Sequence, residues 1–279
     1  MISPNAALGG GTAAVPRGGA LEATARELWS YRELFYFFAW RDIKIRYKQT
    51  VFGILWAVIQ PLFTMIVFII LFGRLANLPV DNLPRPIFYL SALVPWIFLS
   101  TTITNGSTSL VANSEMLTKV YFPRVILPVS VALSNGVDLL ISSLLLGAVM
   151  IVYQVQPAPQ LLLWPVLLVA LAALAIGITT TLATLNVKYR DIRYVVPFFL
   201  QLWMFVTPII YPASMIPEGY RWLLAFNPLS GLIEGFRYAI APYPMDWTLL
   251  VVSLLEICAI LMASLVYFRR SERAFADFV

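Results

Sequence analysis

Apolar residues in this chain run in blocks of about twenty, and the stretches between the blocks carry most of the charge. At 1.5 Å per residue, a helix of about 20 apolar residues matches a hydrocarbon layer of about 30 Å. Six such blocks are legible, at residues 52–75, 87–104, 125–154, 161–187, 195–211 and 247–268. The fifth is barely long enough to cross. Gln60 and Pro61 interrupt the first and predict a kink, because proline removes an N–H from the helical ladder. The second dissolves into STTITNGSTS, which continues as helix only if packed against protein. A polar, proline-rich turn separates the first two.

A different pattern precedes the first block. Read as a helix, residues 28–47 place Glu33, Arg41, Lys44 and Lys48 on one stripe, with Tyr31, Leu34, Phe35, Phe38 and Ile45 opposite. Such an amphipathic helix, assigned to residues 26–48, lies in the membrane surface with its cations toward water. Asp42 falls on the apolar side, and Phe37 and Trp40 break into the polar stripe, which suits partial cover by a second protein. Residues 1–25 are Gly-, Ala- and Pro-rich at their start and read as a disordered cytoplasmic tail, and residues 271–279 as another. Residues 49–270 form the membrane domain. Within it, 113–124 is a charged interruption with a short helix, and 188–194 a tight basic turn. Residues 212–245 are punctuated by prolines and glycines. Neither half of that stretch can span, so two short re-entrant helices are expected between the fifth and sixth spans, allowed only where protein or water covers them.

Composition narrows the class. Apolar residues make up 60% and charged ones 12%, with mean hydropathy +0.83, against about half and about a quarter in soluble domains. The fold class is therefore all-α integral membrane, with six transmembrane helices. Eight Trp and thirteen Tyr suit a chain with many interfaces, where amphipathic rings settle at headgroup depth. The single Cys258 excludes a disulfide within one chain, and with no His imidazole chemistry is excluded. No metal-ligating cluster and no catalytic set is visible.

Charge sets the orientation. With six spans, one side receives fifteen Lys and Arg and the other receives Arg74, Arg85, Arg221 and Arg237. The positive-inside rule then places both termini in the cytoplasm. Five or seven spans would scramble that asymmetry.

Four motifs carry a resemblance: RDIKIRYKQTVFGILWAVIQP from Arg41, LTKVYFPR from Leu117, NVKYRDIRY from Asn186 and NPLSGLIEGFRY from Asn227. In this order they resemble the membrane subunit of bacterial ABC-2-type polysaccharide exporters, the group of O-antigen, capsular-polysaccharide and teichoic-acid permeases. The likeness runs from about residue 26 onward and is nearest to the O-antigen branch. It implies a homodimer in the bacterial inner membrane, two ATP-binding partner subunits, and an undecaprenyl-pyrophosphate-linked polysaccharide as cargo, with lipid around it and no nucleic acid. The chain has no Gly-Lys pair, so it lacks the usual phosphate loop; ATP and Mg would be bound by the partner, and no cofactor is expected here. By the same resemblance residues 113–124 form a helix that couples to the ATPase, with Glu115, Met116, Leu117, Lys119, Tyr121, Phe122 and Arg124 at the contact. Exposed Tyr121 and Phe122 would otherwise be costly surface. Arg41, Lys44, Arg46 and Lys48 would meet the lipid diphosphate, where arginine forks suit phosphate, although cations beside a span are also expected for topology alone. The first and fifth spans would line the pore, offering Trp56, Phe63, Phe68, Phe198, Phe199, Trp203 and Phe205 to the C–H faces of sugars.

Two acids, Asp138 and Glu256, lie inside spans, where a charge is costly and marks function by default. With no Lys or Arg inside the spans beside them, both read as packing or oligomer contacts. The competing classes fit less well. A membrane glycosyltransferase needs catalytic carboxylates in a sizeable loop, and the longest outer segment has only Glu218, Glu234 and Asp246. A secondary transporter would show internal repeats with matching broken helices, and only one such region is visible. Within the same architecture a drug or another lipid is the alternative cargo.

Overall fold

The computed structural model describes residues 29–48, 53–119, 122–156, 158–241 and 245–272. All regular structure among them is helical. Helix α1, Arg32–Lys48, leads into α2, Leu55–Phe68, which widens into a π-type turn over Ile69–Leu75. Helix α3, Arg85–Ser107, is followed by two short pieces, α4, Ser109–Ala112, and α5, Ser114–Lys119. Helices α6, Ile126–Val152, α7, Leu163–Lys188, and α8, Ile192–Val206, come next. The 3-10 turns Ala213–Met215 and Glu218–Phe226 precede α9, Pro228–Ile240, and α10, Trp247–Glu272, completes the chain.

Among the described residues, five segments are long and apolar enough to cross a membrane: Leu55–Leu75, Arg85–Ser107, Ile126–Val152, Pro159–Lys188 and Trp247–Glu272. Helix α8 is apolar but has 15 residues, or about 22 Å of rise. The apolar helices begin and end within five residues of the blocks read in the sequence, because proline and charge punctuate the chain where they stop.

Helix α3 is the central post, packed against α6, α7 and α2. Its hydroxyls explain how so polar a helix can be buried: Ser91 donates to Phe88 O at 2.9 Å and Ser107 to Thr104 O at 2.9 Å. Each side chain is satisfied by the turn behind it, leaving only its carbon surface to pack. The run that dissolved in sequence therefore stays helical to Ser107, with Thr102, Ile103, Gly106 and Ser107 covered by protein and Thr104 and Asn105 exposed. A Cβ on Gly106 would lie 2.1 Å from Thr179 Cγ2, so glycine lets α3 and α7 approach closely. Asn186 on α7 then donates to Ser107 O at 3.0 Å.

Helix α9 sinks into the bundle between α10, α7 and α3. Asn227 caps it, accepting from Leu229 N at 3.1 Å, as a short amide at an N-cap should. A Cβ on Gly231 would meet Leu249 O at 2.7 Å and Ser253 Oγ at 2.5 Å. Arg237, fully buried, pairs with Glu234 at 2.8 Å, donates to Ile209 O at 3.1 Å and lies 3.7 Å from the Phe88 ring centre. One of the four cations assigned to the outer side is thus an internal strut, sealed from water by its partners.

Candidate functional site

The end of α1 brings the most chemistry together. Arg46 pairs with Asp138, Tyr47 donates its hydroxyl to the same carboxylate, and Arg46 also donates to Asn135 Oδ1. Asn135 in turn donates to Thr102 Oγ1 at 3.1 Å on α3. Three helices meet through this chain of hydrogen bonds. Burial, reinforced by Asp138, holds the Tyr47 phenol above the ordinary tyrosine range; nearby Arg46 opposes it and does not prevail. Among the described residues, Asp138 has no basic companion from within the spans, as the sequence indicates; its companion comes from outside them, at the end of α1. Arg46 sits 92 residues away in sequence, and no local pattern could have paired them.

Beside this network lies a cavity of about 670 Å³, bounded by α2, α3, α6 and the end of α1. Its wall includes Trp56, Gln60, Pro61, Thr101, Asn105 and Asp138. Pro61 cannot donate to the carbonyl of Ala57, and Ser142 on α6 donates to that oxygen instead, at 3.0 Å. The helix runs on through Pro61 from Leu55 to Phe68, and the carbonyl that the proline leaves without a donor is fastened to a neighbouring helix at the cavity wall.

The amphipathic division expected for α1 holds in part. Phe38 is buried and Tyr31, Leu34 and Phe35 are half-buried against its cluster, while Glu33, Lys44 and Lys48 are exposed together with Phe37 and Trp40, which break into the polar stripe; Ile45 departs by being exposed, and Arg41 by being half-buried. Arg41 pairs with Asp42 at 2.8 Å, donates to Asn113 Oδ1 at 3.1 Å and lies 5.0 Å from the Phe38 ring centre. The helix turns a mixed face toward α6, where the Arg46–Asp138 pair across the contact and the Arg41–Asp42 pair within α1 offset the burial of charge. Lys44 and Lys48 are exposed and form no ion pair with another described residue.

Residues 113–119 and 122–124 reach α1 through Asn113, Met116, Leu117 and Phe122. Glu115 and Lys119 are open to solvent, 3.8 Å apart, whereas Met116 and Leu117 are half-buried against a cluster around Phe38. The expected exposure of Phe122 is corrected: it is 4% exposed, its ring 5.6 Å from that of Phe38. Burying that ring removes the surface cost on which the exposed pair was argued. Arg124 donates to the Glu272 carbonyl at 3.1 Å. Tyr121 lies outside the described residues.

The aromatics proposed for a pore divide into two groups. Trp56, Phe63, Phe198, Phe199 and Phe205 are exposed in the single chain. Phe68 is buried, edge-on to Phe72 and Tyr89, which corrects its assignment to an open face. Trp203 is half-buried, donating Nε1 to Asn227 Oδ1 at 2.9 Å and meeting Trp96 edge-on. Among the acids, Glu256 keeps Oε2 buried without a hydrogen bond.

Comparison with known proteins fits this architecture. Residues 33–241 match the pattern of the ABC-2 type transporter. The chain is 32% identical over 214 residues to the O-antigen export system permease protein RfbA of Myxococcus xanthus, covering 76% of this chain and 82% of the relative. A Klebsiella pneumoniae protein of the same name is 31% identical over 71% of this chain and 76% of the relative. The polysialic acid transport protein KpsM of Escherichia coli is 24% identical over 72% of this chain and 79% of its own length. The match begins in α1 and ends just past α9, so it takes in the Arg46–Asp138 junction and the buried Arg237, and on that extent the chain belongs to the ABC-2 type transporter family.

Proposed function

We propose that this chain is the membrane-spanning permease subunit of an ATP-driven exporter that carries a lipid-linked polysaccharide of the O-antigen type out of the cytoplasm. The observation that carries this reading is the identity of 31–32% to permeases named for O-antigen export, which extends through the helices described above. Capsular-polysaccharide export is the second reading, and the lower identity of 24% to the polysialic acid transporter makes it the weaker one.

In this reading the membrane is crossed six times, with α8 as the short fifth span and both termini cytoplasmic. The fifteen-to-four distribution of cations supports the orientation. The burial of α9 supports a re-entrant helix, since irregular backbone at membrane depth needs protein cover. Two copies pair along α2 and α8, whose exposed rings at Trp56, Phe63, Phe198, Phe199 and Phe205 face the path of the glycan and let it slide by weak, repeated contacts. Two ATP-binding subunits dock beneath, at α5 and the outer face of α1. Lys44 and Lys48, exposed and unengaged by any described residue, meet the diphosphate; Arg41, through its hydrogen bond to Asn113, and Arg46, through its ion pair with Asp138, hold the helix in place.

The test is to co-express the chain with its ATP-binding partner, weigh the detergent-solubilised complex and assay ATP hydrolysis. A 2:2 assembly that hydrolyses ATP is expected. A stable lone chain indifferent to the partner would overturn the reading. Labelling of cysteines placed at Arg85 and Arg190, in a Cys258→Ser background, should come from opposite sides of the membrane.

A further inference from the structure

The cavity beside the Arg46–Asp138 pair carries polar side chains that the export reading does not use, next to Trp56, which it does. Gln60, Thr101 and Asn105 line it, and none of their side chains forms a hydrogen bond with another described residue. An amide offers two donors and an acceptor, and a hydroxyl offers both roles. Lipid cannot satisfy such groups; water or a polar ligand must. Trp56, on the same wall, is 58% exposed. An indole, two amides and a hydroxyl around one cavity match a sugar ring, whose C–H face packs on an aromatic and whose hydroxyls bond polar side chains.

Charge separates a sugar from a phosphate here. Arg46 is the one Lys or Arg on the cavity wall among the described residues, and Asp138 and Asn135 already engage its guanidinium. An entering diphosphate would face the Asp138 carboxylate with the opposing cation already paired. An uncharged, hydroxyl-rich ring meets no such repulsion. The volume of about 670 Å³ lies within the range of about 300–1,000 Å³ typical of small-ligand sites.

We propose that this cavity binds one uncharged sugar ring in each copy of the chain, holding it by Trp56, Gln60, Thr101 and Asn105. The inference deepens the export reading and rests on it for the source of the sugar, a unit of the transported glycan. The diphosphate is then met elsewhere, at Lys44 and Lys48, and the two parts of a glycolipid are recognised by separate chemistry.

The test uses the full chain with its ATP-binding partner in lipid nanodiscs. The probe is octyl β-D-glucoside with a photoreactive diazirine on its alkyl chain, kept below its micelle concentration, and cross-linked peptides are identified by mass spectrometry. Labelling of α2 or α3 should be competed by unlabelled octyl glucoside and not by octyl phosphate. Gln60→Ala and Asn105→Ala should each reduce it by about tenfold, the worth of one hydrogen bond of about 1.4 kcal/mol. Trp56→Phe should keep the labelling and Trp56→Ala should lose it. Unchanged labelling in the Gln60 and Asn105 variants, or displacement by octyl phosphate as effective as by the glucoside, overturns the proposal. An intact 2:2 assembly that hydrolyses ATP but fails to label rejects the sugar site alone. Site-dependent labelling of a chain that never assembles with the ATPase upholds the site and rejects the export reading.

Discussion

The Ser142 hydroxyl donates to the Ala57 carbonyl at 3.0 Å, replacing the N–H that Pro61 lacks. Removing it leaves a carbonyl unpaired in a largely apolar setting. Ser142→Ala should therefore lower stability by about 1–3 kcal/mol. Thermal unfolding of the purified protein in nanodiscs would measure the loss. Adding Pro61→Ala to that variant should recover part of it, because the helix then supplies its own donor. Equal midpoints for Ser142→Ala and the natural chain would show that the bond carries nothing.

Arg46 and Asp138 should behave as a coupled pair. Arg46→Met or Asp138→Asn alone leaves its partner uncompensated in a half-buried site. The double variant should lose less than the sum of the two, with a coupling of about 1 kcal/mol after allowance for partial exposure. A double-mutant cycle on unfolding midpoints reads this directly, and strict additivity would mean that the ion pair adds nothing to the hold of α1 on α6.

Tyr47 gives a pH dependence of known sign. Its folded-state pKa is raised above the ordinary 10.0 by burial and by Asp138. Below about pH 10 the phenol is neutral in both states, so its contribution is constant. Above that, the unfolded chain ionises first and stability falls as pH rises toward the folded-state value. Tyr47→Phe should be less stable at neutral pH and show a shallower decline between about pH 10 and 11. Parallel declines in the two proteins would remove Tyr47 as the cause.

Gly231 marks the closest approach of α9 to α10. An added methyl must displace Leu249 O, which lies 2.7 Å from its position and belongs to the backbone. Gly231→Ala should cost about 1–3 kcal/mol through overpacking, whereas Gly219→Ala, with open space around its Cβ, should cost little. Unfolding midpoints of the two variants provide the comparison.

Phe122 and Leu117 should separate stability from coupling. Phe122→Ala removes a buried ring against Phe38 and should destabilise the α1 junction by about 3 kcal/mol. Leu117→Ala, on a half-buried helix open to a partner, should leave the midpoint nearly unchanged and lower transport per ATP hydrolysed. If Leu117→Ala exports normally, α5 is not the coupling contact.

The sequence by itself determined the helical membrane class, the positions of the helices and the weak fifth one. Those properties depend on local hydrophobicity, proline and charge, which act on the segment that contains them. It also singled out Asp138 and the α1 cations as places where charge meets the membrane. Only the tertiary structure decided which of these groups meet. Asp138 found Arg46 and Tyr47 at sequence separations of 92 and 91, Arg237 turned inward onto Glu234 and Phe88, and Phe122 and Phe68 went into the core. A helical period in one segment shows which side chains share a face. The direction of that face depends on the neighbours against which the helix packs, and those are set by contacts between segments far apart in the chain.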